Sequence, residues 1–458
     1  MGAALGIGLA LGIALLPSFE GLDRGNQLVL AVVAITLIFL VFEVLPWAVT
    51  SILGLALFMA VGVKVDVALS GFAGKPFWLV LGVLFYGRAM EKTGLAKRVS
   101  YLILGLFRPS YASILLSFTA IGFVLALGIP SITVRVAIVV PVALALTQAL
   151  GLEVQSRGTS LICLGAWIMA IVPGYAFLTG TLYGPFFLGA VTPDIRDLFS
   201  WTNWLIAFMP PVLLLSALLF VALLVLFRPE EPLRGGREVV AKEIRGLGLF
   251  GKHEWAVAAI VGGSVLAWVT QSWHGFDSTY VAMLGAVALF ASGVLDVEDI
   301  QTGISWPLII FLGGLYSLAT ILPAYHLDAW LGRVFVPLAE PFMGSPFLLV
   351  PVVAILVYLV RFVEVGMWPT LLIIYLPMVG LAMARGVGPH VLAVVVILSS
   401  NVFFVPYQTS WVPMAEAITG GRGWAASYRN RLALAFGVLN IVALMAGTAY
   451  WGIIGPLR

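Results

Sequence analysis

Apolar runs close to the length of a bilayer crossing, about 20 residues, follow one another along the whole chain. They fall at 2–18, 28–43, 46–63, 76–91, 111–129, 132–150, 158–190, 203–227, 255–273, 277–295, 305–322, 346–363, 369–384, 389–418 and 432–455. Most are Leu, Val, Ile, Ala and Gly without the alternation of a strand, and in lipid only a helix or a closed barrel satisfies its own backbone. A barrel would show alternating segments of about 10 residues, so the pattern predicts a polytopic all-α membrane protein. The first run has no basic residue ahead of it and leads into another at Leu28, which makes it a first helix and not a removable leader.

One stretch differs in kind. Residues 228–254 hold Arg228, Arg234, Arg237, Lys242, Arg245 and Lys252 with Glu230, Glu231, Glu238, Glu243 and Glu254, a polar connector with a short surface helix. The chain therefore divides into an N-terminal helix and loop (1–27), a first membrane repeat (28–227), the connector (228–254) and a second repeat (255–458). Basic residues mark the cytoplasmic side of a membrane protein. The connector, the 92–108 region (Lys92, Lys97, Arg98, Arg108) and the late loop with Arg422, Arg429 and Arg431 should be cytoplasmic. Threading the runs to satisfy all three puts the N-terminus inside and the C-terminus outside.

Composition narrows the class. Apolar residues make up 62% and charged ones 10%, against roughly 25% charged in a soluble domain, so the solvent is lipid. The single cysteine, Cys163, excludes an internal disulfide and reads as core or lipid-facing filler. His253, His274, His326 and His390 are far apart at predicted helix ends and read as interfacial. No metal-ligand spacing, paired carboxylates or Ser/His arrangement stands at membrane depth, so neither an enzyme nor a resident cofactor is expected. Nothing suggests nucleic-acid binding.

The two halves echo each other. Lys75-Pro-Phe-Trp leads to Gly94-Leu-Ala-Lys-Arg98, and Ile304-Ser-Trp-Pro leads to His326 and on to Arg333. A turn near Pro130 followed by Pro141 matches the turn Gly366 to Pro369 followed by Pro377, and Gly180-Thr181 has a counterpart near Gln408-Thr409. The loop at 92–108 falls inside while its counterpart at 323–345 falls outside, so the repeats are inverted, an architecture in which transporters hold substrate where broken helices meet.

These features resemble the divalent anion/sodium symporters, the dicarboxylate, citrate and sulfate carriers of the ion transporter superfamily. Glu43-Val-Leu-Pro46 looks like that family's Glu-x-x-Pro, and Met90-Glu-Lys-Thr-Gly-Leu-Ala-Lys-Arg98 is similar to a characteristic stretch. Gly293-Val-Leu-Asp296, Ser305-Trp-Pro and Phe311-Leu-Gly-Gly314 extend the resemblance into the second repeat. It implies about eleven spans, two re-entrant hairpins (111–150 and 346–385), interrupted helices, a homodimer, and sodium meeting a carboxylate at the hairpin tips. The tips depart from the family pattern. The first reads Ser131-Ile132-Thr133-Val134-Arg135, where the family has Ser-Asn-Thr, and the second reads Glu364-Val-Gly-Met367-Trp368-Pro369. Only threonine persists at Thr181-Leu-Tyr-Gly184 and Thr409-Ser-Trp-Val412.

Candidate substrate contacts are Ser131, Ile132, Thr133, Arg135, Gly180, Thr181, Met367, Trp368, Thr370, Thr409 and Ser410. The break after Pro130 exposes backbone groups whose helix N-terminus favours an anion, or it is a kink closed by neighbouring helices. Arg135 at bilayer depth needs a partner: a carboxylate or sulfate substrate, an ion pair with Glu364 or Glu43, or a water-filled lumen. Arg361 and Glu364, three residues apart, can pair locally. Glu364 is open to a coupling or a structural role. Thr409 and Ser410 either touch solute or close the broken helix. Gly165, Gly174, Gly180, Gly184 and Gly189 read as packing positions.

A sodium site could draw on Ser131, Thr133 and Gly180, but Ile132 and Trp368 offer no side-chain oxygen and Arg135 brings a fixed positive charge. Sodium coupling is therefore expected to be weak or missing. The reading is a plasma-membrane secondary carrier of a small anion, either a dicarboxylate, citrate or an inorganic oxyanion such as sulfate. A proton-driven or uncoupled carrier of another polar solute, and a non-transporting structural homologue, are the alternatives.

Overall fold

The computed structural model describes residues 2–107, 110–229, 233, 237–327, 330, 345–364, 367–384 and 386–454. Arg108, Glu230, Glu231, Arg234, Arg333 and Gly366, named above, lie outside the described residues, and Arg237 and Glu238 are described in backbone only. Among the described residues there is no strand. The longer helices of the first half are α1 (Gly2–Leu15), α2 (Arg24–Val41), α3 (Trp47–Ala60), α4 (Lys75–Lys92), α5 (Leu95–Gly105), α6 (Tyr111–Gly128), α7 (Ile132–Ala149), α8 (Arg157–Ile171), α9 (Tyr183–Ala190) and α10 (Trp201–Leu226). The connector carries α11 (Arg237–Gly246). The second half has α12 (Lys252–Val269), α13 (Ser278–Ala291), α14 (Trp306–Ala324), α15 (Pro346–Val360), α16 (368–384), α17 (Pro389–Ser399), α18 (Trp411–Thr419) and α19 (Ala426–Ile454). Seven described helices are long and apolar enough to cross a membrane, and six shorter apolar ones accompany them.

The apolar runs break where the chemistry says they should. Pro130 fixes Ile129 in an extended conformation between α6 and α7, and the Ser131 hydroxyl caps α7 by accepting from the Val134 amide at 3.3 Å. The run 158–190 is interrupted by a 3₁₀ turn at Val172–Ala176 and resumes only at Tyr183. Its counterpart 389–418 breaks between Ser399 and Trp411, with a 3₁₀ turn at Pro406–Gln408. Pro377 withholds an amide inside α16, and the turn ahead of it widens into a π segment, Leu371–Tyr375.

Packing between the halves is reciprocal. α3 lies against α14 while α13 lies against α4, and α18 packs on α7 while α9 meets α16. At the centre, residues 158–171 of α8 and all of α17 are buried, as expected of helices apolar all round. Around them α10 shows most of its surface outward, with a third of its apolar window buried.

Small residues permit this closeness. An added Cβ at Gly165, Gly174, Gly180, Gly184 or Gly189 would overlap a neighbouring atom. Gly122 of α6 is the clearest case, because its missing methyl would meet the Met169 backbone carbonyl of α8, which cannot rotate away. Gly122→Ala is therefore expected to cost about 1–3 kcal/mol of stability, read as a lowered unfolding temperature in detergent. An unchanged transition would mean that the two helices do not approach so closely.

Candidate functional site

A cavity of about 750 Å³ opens where the broken elements meet. Four helix N-termini border it: Ser131 and Ile132 at the start of α7, Leu182 and Tyr183 at α9, Met367 and Trp368 at α16, and Ser410 and Trp411 at α18. First-turn amides lack intrahelical acceptors, and each N-terminus carries roughly half a positive charge. Thr133 and Thr409 add hydroxyls, and the buried Thr409 Oγ1 has no partner. The arrangement favours a small anion.

Aromatic rings close the cavity beside the second tip. Trp368 stacks on Tyr183 with ring centres 4.5 Å apart, meets Phe186 edge-on at 4.7 Å, and faces Phe311 of α14 at 6.2 Å. Met367 ahead of it takes a left-handed backbone, φ 64°, which turns the chain into Pro369. Tyr175 of the first unwound segment donates to Asn401 of the second, tying the two repeats together beneath the tips.

Of the residues singled out in the sequence, Ser131, Ile132, Thr133, Met367, Trp368, Thr409, Ser410 and Glu43 line the cavity. Arg135, Gly180, Thr181, Thr370, Arg361 and Glu364 do not, and lie buried behind it. The Arg135 guanidinium is wrapped by backbone: Nε donates to Ala170 O at 2.8 Å, and Nη1 donates to Ile129 O at 2.6 Å and to Gly180 O. The ion pair with Glu364 or Glu43 weighed above is not formed. The breaks at 129–131 and 172–182 leave carbonyls without amide partners, and Arg135 supplies the missing donors. Glu364 instead accepts from Arg361 Nη1 at 2.7 Å and from the Thr370 hydroxyl. Arg361 also donates to the carbonyls of Glu364, at 2.7 Å, and Gln408. Each half thus holds a buried arginine, Arg135 or Arg361, that ties the segment before α7 or α16 to the later break near Gly180 or Gln408.

Two further readings are narrowed. His390 stands at a helix start as expected but is buried in protein, 4% exposed, with its ring 4.0 Å from Phe199 and Nε2 3.1 Å from Leu198 O. Cys163 takes the core one of its two readings, fully buried. Sequence reasoning missed Arg88, Glu91, Trp47 and Tyr183 in the cavity wall, whereas Tyr407, readable as hydrogen-bonding capacity of the second unwound segment, does line it. Arg88 could have been found by the argument applied to Arg135, since it too interrupts an apolar run. Its Nε donates to Asp299 at 2.8 Å, and Lys92 approaches the same carboxylate at 2.5 Å. Burial raises the pKa of Asp299, but the hydrogen bonds from Lys92 and Arg88 outweigh that and hold it at about 2.

The sequence matches the family described as "Sodium:sulfate symporter transmembrane region" over residues 3–457. The chain belongs to that family. Members of the sodium:sulfate symporter family are transporters, so this chain is a multi-pass membrane protein that carries anions by secondary transport, and it is not an enzyme. It is similar to a protein named only as a membrane protein from Cupriavidus necator, 27% identical over 70% of this chain and 66% of that one. It is also similar to the chloroplastic dicarboxylate transporter 1 of Arabidopsis thaliana, 24% identical over 99% of this chain and 82% of that one. The L-tartrate/succinate antiporter of Escherichia coli is 25% identical over 76% of this chain and 77% of its own length.

Proposed function

We propose that this member of the family exchanges small dicarboxylates by alternating access, with the 750 Å³ cavity as its substrate site. The observation that carries the reading is the meeting of four half-helix N-termini on one cavity beside unpartnered or exposed hydroxyls. The names of the Arabidopsis and Escherichia coli relatives point to four-carbon dicarboxylates and, for the latter, to antiport. The two tips and two unwound segments move as one body against α2–α4 and α12–α14.

Sodium is the coupling ion that the family's name suggests, and the residues proposed to hold it fit it poorly. The Gly180 carbonyl, one of the three groups considered, already accepts from Arg135, Ile132 brings no oxygen, and a guanidinium beside the tip repels a second cation. Exchange without sodium is the mode we infer. Arg88 and Glu91 of the cavity wall stand just ahead of the basic region at 92–108, so by the positive-inside rule that side of the cavity is the cytoplasmic one. The orientation keeps the N-terminus inside and the C-terminus outside. A homodimer in the plasma membrane completes the reading on the strength of the family resemblance.

The test is uptake of labelled succinate, malate, tartrate, citrate and sulfate into proteoliposomes, preloaded or empty, in sodium or choline medium, with or without a proton gradient. Saturable dicarboxylate uptake that needs internal dicarboxylate and is equal in both media is expected. Uptake that appears only with sodium and rises cooperatively with it would overturn sodium independence. Absence of flux for every anion would favour the non-transporting structural reading.

A further inference from the structure

We propose that Arg88 receives the second carboxylate of a dicarboxylate held in the cavity, an assignment that rests on the dicarboxylate reading above. Among the described residues lining the cavity Arg88 is the one cation, and Glu43 and Glu91 are its acids. Arg135 and Arg361 do not line it: they are buried and donate to backbone carbonyls and Glu364, with Arg135 Nη2 and Arg361 Nε left without a partner among the described residues. The four helix N-termini together bring roughly two positive charges, which the wall's own Glu43 and Glu91 offset. A dianion brings a second full charge, and without Arg88 the wall would meet it with two carboxylates and no cation.

Geometry puts Arg88 within reach of the first tip. Its neighbour Gly87 packs there so closely that a Cβ on it would lie 3.7 Å from Pro130 Cδ and 3.9 Å from Ile129 Cγ2. Arg88 follows it on α4 and lines the same cavity as Ser131, Ile132 and Thr133 of the first tip. Its Nε is fixed by Asp299, which is 2% exposed and also held by Lys92. That anchor orients the guanidinium and leaves the two terminal nitrogens for another ligand. The second acid near it, Glu91, stands 3.9 Å from Nη1 and is half exposed, too far for a hydrogen bond. A substrate carboxylate can displace it and engage the planar fork in two parallel bonds. Glu91 then acts as a weak competitor for the fork when the cavity is empty.

The experiment compares exchange of succinate, a dianion, with that of its monoamide succinamate, a monoanion of nearly the same shape, in proteoliposomes. Wild type is expected to show the lower KM for succinate. Arg88→Gln should raise the succinate KM about tenfold with a maximal rate within about twofold, change the succinamate KM little, and so collapse the preference. Arg88→Lys should keep part of it, and Glu91→Gln, which frees the fork, should lower the succinate KM. A merely structural Arg88 would depress both substrates alike and leave their KM ratio unmoved. An unchanged ratio in Arg88→Gln, or, if that variant does not fold, in both Arg88→Lys and Glu91→Gln, overturns the assignment while leaving the carrier reading intact. A wild-type protein that exchanges neither compound overturns the carrier reading and this assignment with it.

Discussion

Arg135→Gln is expected to reach the membrane in reduced amount and to unfold well below the wild type, with transport lost as a consequence. The guanidinium serves the carbonyls of Ala170, Ile129 and Gly180 from two nitrogens pointing in different directions. Each buried carbonyl left without a donor costs about 1–3 kcal/mol, so losing all three is a large fraction of a typical folding free energy of about 5–15 kcal/mol. Lysine should rescue poorly, because its donors sit on one nitrogen and cannot span the cage. Removing Glu364 as well should bring no recovery, since the two do not touch. Thermal unfolding of purified variants in detergent checks this. A well-folded Arg135→Gln protein that has lost only saturable uptake would restore the direct anion contact that the geometry argues against.

The second large effect concerns Arg361 and Glu364, which are 0% and 1% exposed in their side chains. Breaking a buried pair by removing one partner leaves a charge stranded and costs about 3–5 kcal/mol. Glu364→Gln alone should thus destabilise strongly, whereas the same change in an Arg361→Met background should add little. A double-mutant cycle measures that difference. Strictly additive losses would dissolve the pair as an energetic unit. If Glu364 instead carried a coupling proton, the single variant would fold normally and lose only its response to a proton gradient; its burial outside the cavity lining and its bonds to Arg361 and Thr370 argue for the structural outcome.

The helices and their breaks were legible because each break is signalled locally, by Pro130 and Ser131 at one tip and by Met367 to Pro369 at the other. Legibility ended where a partner is distant or has no signature. Arg135 is satisfied by backbone carbonyls, which every residue carries and no pattern announces. Arg88 interrupts an apolar run and was open to the same argument as Arg135, but Asp299, which positions it, lies 211 residues away. His390 stands at the start of a run, as read, but its burial against Leu198 and Phe199, far away in sequence, has no local signature. Arg361 and Glu364 were readable as a pair because their spacing places them on one face.

The buried arginines also set how the carrier feels the membrane potential. Arg361 and Glu364 cancel, whereas Arg135 is bonded to no acid among the described residues, so the body proposed to move carries one uncompensated buried positive charge. Loaded with a dianion, it carries one net negative charge instead. Each elementary charge that traverses the field is worth about 2.3 kcal/mol per 100 mV, so voltage pulls the empty and the loaded body in opposite directions. One-for-one exchange of dianions cancels these terms, while a cycle that returns empty would move two charges per turnover and run as a current.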